Sequence, residues 1–127
     1  MKPSTPPLPS EEDEALIRDY LLYNLLQSLL KRDIQILKTL SLKMADLYIL
    51  NLQYMQKGNS DHAWSVQQQM RQRGIRIQNQ SRTAEDGVQV LYLCRGYERR
   101  LLSDWASLKE AIKEQLVSYL GTDLAAY

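Results

Sequence analysis

The spacing of apolar residues changes along the chain, and each change marks a different kind of element. From Glu11 to Lys57 there is no glycine or proline, and apolar residues recur every three or four positions: Leu22, Leu26, Leu29, Ile36, Leu40, Leu47, Leu50 and Tyr54. That is the period of one face of an α-helix, interrupted on the same stripe by Asp33 and Lys43. A single helix of this length would span about 70 Å, too much for a small domain, so the chain is expected to fold back once. The corner is placed at Thr39-Leu40-Ser41-Leu42-Lys43, where Ser41 offers a cap for a second helix; Lys31-Arg32-Asp33 is the other position. Ser10 starts the first helix. Its hydroxyl suits an amide three residues on, and Glu11, Glu12, Asp13 and Glu14 gather at the positive helix end.

Gly58-Asn59-Ser60-Asp61 has the composition of a turn, with Ser60 or Asp61 able to cap a new helix through Arg73. Yet Leu52, Met55, Ala63, Val66 and Met70 stay near one face if the helix runs through, at a cost of about 1 kcal/mol for the glycine. We read a continuous or merely kinked helix. After Gly74 the period falls to two. Ile75 and Ile77 alternate with Arg76 and Gln78, and Arg82-Thr-Ala-Glu-Asp-Gly87 separates them from a second run, Val88 to Arg95, which predicts an antiparallel hairpin. Val88, Val90, Tyr92 and Cys94 share one face. Leu91 and Leu93 make the other face apolar as well, so both are expected to be covered. Beyond Gly96 a last helix is expected, with Leu101, Leu102, Trp105, Leu108, Ile112, Leu116 and Leu120 inside and Gly121 at its end.

The expected fold is therefore mostly α, of the α+β class: long antiparallel helices with one β-hairpin packed before a C-terminal helix. Residues 1–9 hold all four prolines and read as a flexible tail. Residues 10–127 read as a single helical domain with the hairpin near 75–95.

Composition sharpens this picture. A chain of 127 residues suits one core. Its 22 leucines, eight tyrosines and absent phenylalanine, with few Gly and Pro, favour long helices. Hydrophobic residues at 44% and charged residues at 24% exclude wholesale disorder. A net charge of +1 excludes a global basic field. No apolar run reaches the roughly 18–20 residues of a membrane span, and the N-terminus is unlike a secretory signal, so no membrane contact and a cytoplasmic address are expected.

The chemistry of known active sites is thin. His62 is the sole histidine and no nucleophile-elbow spacing accompanies it. One His and one Cys fall short of a zinc site. Cys94 has Arg95, Arg99 and Arg100 nearby, which favour a thiolate, but its place on an apolar strand face reads as a buried structural thiol. There is no phosphate-binding glycine loop. No enzyme, metal, cofactor or small-molecule substrate is expected.

Binding is the remaining expectation. Residues 1–15 carry a local charge of −3, and residues 71–82 hold Arg71, Arg73, Arg76 and Arg82 with no acid. Glutamines surround them, Gln68 among others, and Arg and Gln are the side chains that contact phosphates, base edges and protein carboxylates. Ala63-Trp-Ser-Val-Gln-Gln-Gln-Met-Arg-Gln-Arg-Gly-Ile75 followed by Arg82-Thr-Ala-Glu-Asp-Gly87 resembles the recognition helix and wing of winged-helix DNA-binding domains over about residues 45–100. That resemblance implies nucleic-acid contacts from Gln68, Arg71, Arg73, Arg76 and Arg82. The layout of Arg73-Gly-Ile-Arg-Ile77, Tyr92-Leu-Cys-Arg-Gly-Tyr97 and a Trp- and Leu-lined terminal helix resembles small proteins of spore-forming Gram-positive bacteria, which implies no activity. The first expectation is an intracellular protein-binding, scaffolding or regulatory module, a homodimer or bound to another protein. It would use the arginine patch and exposed tyrosines among Tyr20, Tyr23, Tyr48 and Tyr54; DNA comes second.

Overall fold

The computed structural model describes residues 8–120. Most of the proline-rich stretch expected as a tail, and Gly121, lie outside them. Helix α1 runs Glu11–Leu37. Ser10 caps it as expected: its Oγ accepts from the Asp13 amide at 3.1 Å while Asp13 Oδ2 accepts from the Ser10 amide at 2.9 Å, a reciprocal capping box. Helix α2 runs Ala45–Gln72 without a break, so Gly58–Asp61 is helical and the turn suggested by its composition is absent. The corner between the helices covers 38–44. Ser41 does not cap α2; Met44 holds the cap position and makes no side-chain hydrogen bond there. Each helix is roughly 40 Å long.

The hairpin is part of a larger sheet. Strands β1 (Ile75–Arg82), β2 (Gly87–Cys94) and β3 (Tyr97–Asp104) form an antiparallel sheet in the order β1-β2-β3. The third strand replaces the first turns of the expected last helix. Cys94 pairs with Tyr97, which leaves Arg95 and Gly96 as a two-residue connection with φ of 50° and 88°. Positive φ at both positions is what the right-handed strand twist requires of such a tight turn. Along β3 the leucines then separate by period two: Leu101 is buried and Leu102 faces outward.

Val88, Val90, Tyr92 and Cys94 are all buried, as expected for one face, and they pack with Ile75 and Leu101 onto Leu16, Ile17 and Leu21 of α1 and Val66 and Met70 of α2. Leu91 and Leu93 are only half-buried, so the expected cover over the second face is not found among the described residues. Helix α3 (Trp105–Leu120) adds Leu108 and Ile112 to the core. Asp104 caps it, its Oδ2 accepting from the Ser107 amide at 3.1 Å and the Ser107 hydroxyl at 3.0 Å. These bonds favour the charged form and hold the Asp104 carboxyl below the usual aspartate range. Sheet and α3 thus cover one half of the helical hairpin. Over the other half α1 and α2 have only each other, and α2 fully buries no residue before Met55.

Candidate partner interface

The five residues expected to bind are not one patch. Arg71 and Arg76 come together on the walls of a cleft of about 580 Å³, with Tyr20, Gln67 and Ile77. Gln68 is half-buried on α2 and does not line that cleft. Arg82 lies at the far end of β1, ion-paired to Asp86 at 2.9 Å and stacked over the Trp105 ring at 4.2 Å. Arg73 turns inward: its Nη2 is 2.6 Å from Glu12 and its Nη1 3.3 Å from Asp13.

Asp13 is the centre of that arrangement and is 1% exposed. Arg95 donates to its Oδ2 at 2.7 Å, so two arginines from different turns of the fold converge on the carboxylate that also closes the α1 capping box. Arg95, then the Ser10 amide, Arg73 and the Ser10 hydroxyl hold this carboxyl far below the usual aspartate range, against the opposing effect of burial. Cys94 Sγ lies 4.0 Å from the same oxygen. Burial pushes its thiol up, reinforced by Asp13 and opposed by Arg95 and Arg99. Glu12 and Asp13 thus pair with Arg73 and Arg95, tying the start of α1 to the end of α2 and to the β2–β3 turn.

A second polar cluster lies where α3 crosses the helical pair. Asn59 is fully buried; its Nδ2 donates to the Tyr23 carbonyl at 2.9 Å and to Gln27 Oε1 at 2.7 Å. Tyr119 donates its hydroxyl proton to Asn59 Oδ1 at 3.0 Å. Burial pushes that phenol up, so it keeps its one proton at neutral pH. The Tyr119 hydroxyl also lies 2.8 Å from His62 Nδ1, and the Gln115 amide nitrogen lies 3.5 Å from that same Nδ1, so the His62 tautomer decides which of the two it bonds. The His62 ring stacks on Tyr119, centroids 5.5 Å apart. Gly58 lies beside the Tyr119 ring, where a Cβ would make ordinary contact at 3.6 Å. From the stretch of turn-like composition it is Asn59 that makes the polar contact between helices. Among the described residues no group of three His, Cys, Asp or Glu is arranged to hold a metal ion.

Much of the apolar stripe read along the long helices lies outside: Leu29, Ile36, Leu40, Leu47, Leu50 and Tyr54 are all exposed, and so are Leu42, Met44 and Tyr48. Leu50 and Tyr54 reach 63% and 72% exposure. Tyr20 and Tyr23, also candidates for an exposed surface, pack against the core. A period of three and four identifies a face but does not say which neighbour covers it. Of that stripe Leu26 is buried and Leu22 packs against the core, and Leu30 and Ile34 complete the buried face of this half of α1. The exposed residues occupy the half of the hairpin that sheet and α3 leave bare. Soluble monomers rarely expose contiguous apolar surface beyond a few hundred Å² without a use for it.

No helix among the described residues is long and apolar enough to cross a membrane. Compared with curated proteins and with solved structures, the chain matches none. The family described as YhjD protein matches residues 8–124, which is nearly all of the sequence, and the chain belongs to that family.

Proposed function

We propose that the protein is a non-enzymatic, cytoplasmic protein-binding module whose partner surface is the distal half of the α1–α2 hairpin. The observation that carries this reading is the concentration of exposed large apolar side chains between Leu29 and Tyr54. Burying such side chains is favourable by about 25 cal/mol per Å², whereas a purely structural hairpin would place polar residues there. Tyr48 and Tyr54 fit the same use, since tyrosine joins a large apolar ring to a hydroxyl that tolerates a wet rim. Nucleic acid ranks second. Its support is the pair Arg71 and Arg76, which make no ion pair among the described residues; against it, α2 has no corner between Ala45 and Gln72, and Arg73 and Arg82 are engaged within the fold.

A photo-crosslinking amino acid in place of Leu50, in the intact chain in cells, tests the reading. Protein adducts are expected from position 50 and not from Lys109, an exposed position on α3. Equal or absent labelling at the two positions would remove the distal hairpin as a partner surface.

A further inference from the structure

We infer that the occupant of this surface is a second copy of the same chain, paired antiparallel through the outer face of α2. The inference rests on the reading of the distal hairpin as a partner surface and adds the partner's identity.

Leu47, Leu50 and Tyr54 follow one another by three and four residues and are 58%, 63% and 72% exposed. At about 100° per residue they form one stripe, on the side of α2 away from Leu52 and Asn59, which meet the rest of the molecule. The stripe complements itself. A two-fold axis beside Asn51, perpendicular to the helices, sets Leu47 against the partner's Tyr54 and Leu50 beside the partner's Leu50. The same operation brings Asp46 next to the partner's Lys57. Asp46 and Lys57 are 11 residues apart, about three turns, so they lie on the same rim of the stripe and meet across the axis. Asp46 and Lys57 are both exposed and make no ion pair among the described residues. Each contact occurs twice, as a closed two-fold interface requires.

At about 200 Å² per large side chain, the exposed fractions of Leu47, Leu50 and Tyr54 amount to roughly 400 Å² per protomer. The rim of Asp46 and Lys57 adds to this, and the seam falls at the low end of specific interfaces. Room exists at the ends as well. Beside the stripe a cleft of about 540 Å³ opens between α2 and the end of α3, walled by Tyr54, Lys57 and Tyr119, and it leaves space for the start of the partner's α2. A net charge of +1 per chain sets no long-range repulsion against self-association. A membrane surface is the less fitting occupant. The apolar residues continue along the flank of α2 from Leu47 to Tyr54, which a helix lying alongside covers and a lipid surface meeting the corner does not.

Sedimentation of the purified full chain is expected to give twice 14.8 kDa at micromolar concentration. Leu50→Glu places two like charges beside the axis and is expected to raise the dimer Kd about 100-fold or more; as an exposed helical position it leaves the fold intact by circular dichroism. Because Cys94 is buried, an added surface cysteine reports alone. Leu50→Cys is expected to form an intermolecular disulfide readily under mild oxidation, whereas Leu29→Cys, on α1, is not. A monomer at every concentration overturns the inference, whether or not it binds vesicles of anionic lipid. So does a dimer that Leu29→Cys crosslinks and Leu50→Cys does not. In cells, an adduct from position 50 at twice the chain mass supports self-association. An adduct of any other mass overturns the inference while leaving the partner-surface reading intact, and no adduct removes both.

Discussion

Replacing Asp13 with alanine is expected to lower the unfolding free energy by about 2–3 kcal/mol, with a fall in Tm of roughly 10 °C. Two losses combine. The capping box at the start of α1 goes, at about 1 kcal/mol, and so do both ion pairs. The second loss stays below the 3–5 kcal/mol seen when a buried charge is stranded, because the groups left behind, Arg73 and Arg95, are 39% and 43% exposed and regain water. Thermal unfolding at pH 7 measures the sum. A change under 1 kcal/mol would mean that the two arginines find equivalent partners elsewhere.

The same carboxylate gives the fold a pH dependence of known sign. Asp13 is a stronger acid in the folded chain than in the unfolded one, so as pH falls the unfolded chain takes up the proton first. Its contribution is complete above about pH 5, begins to fade near the unfolded value of about 3.9, and disappears as the pH drops through the folded value. The stability gap between the natural chain and Asp13→Asn is therefore expected to narrow steadily from pH 5 to pH 2. A gap that stays constant over that range would show that the carboxylate's charge contributes nothing.

What the sequence makes legible here is local. Ser10 followed by four acids marks a helix start because capping depends on residues within one turn. The alternation of Val88, Val90, Tyr92 and Cys94 marks a strand because the pleat has a period of two. The third strand escaped for an equally physical reason: Leu101, Leu102, Trp105 and Leu108 satisfy a helical period, and only the φ values of Arg95 and Gly96 decide for a tight turn. Long-range pairing is the other blind spot. Arg73 reads as a free cation beside Arg71 and Arg76, because its partner Asp13 lies 60 residues away in sequence. The exposed stripe on α2 shows the same limit, since Leu47, Leu50 and Tyr54 obey the period of a core whether or not the fold supplies anything to cover them.

Asn59 carries the second large expected effect. Asn59→Leu is close in size but cannot bond, and it leaves the Tyr119 hydroxyl, Gln27 Oε1 and the Tyr23 carbonyl without this partner. Unmade bonds of this kind cost about 1–3 kcal/mol each when fully buried. Gln27 and Tyr119 are half-buried and reach water after small rotations, so the net loss is expected near 2–3 kcal/mol. Tyr119→Phe alone removes only the end of the network, at about 1 kcal/mol. Because the two share a bond, the double variant is expected to be less destabilised than the sum by about 0.5–1 kcal/mol, and strict additivity would deny the coupling. The histidine provides a readout that stability alone does not. With Tyr119 donating to Asn59, the 2.8 Å contact is expected to hold the His62 proton on Nδ1, whereas Gln115 Nε2 at 3.5 Å needs that nitrogen as an acceptor; Tyr119→Phe leaves Gln115 alone there, and the ring is expected to shift toward the Nε2–H tautomer. Imidazole ¹⁵N shifts distinguish the two forms directly. An Nε2–H ring in the natural chain would reverse the proton order of the whole cluster, with Tyr119 donating to His62 and Asn59 Oδ1 left to find another donor.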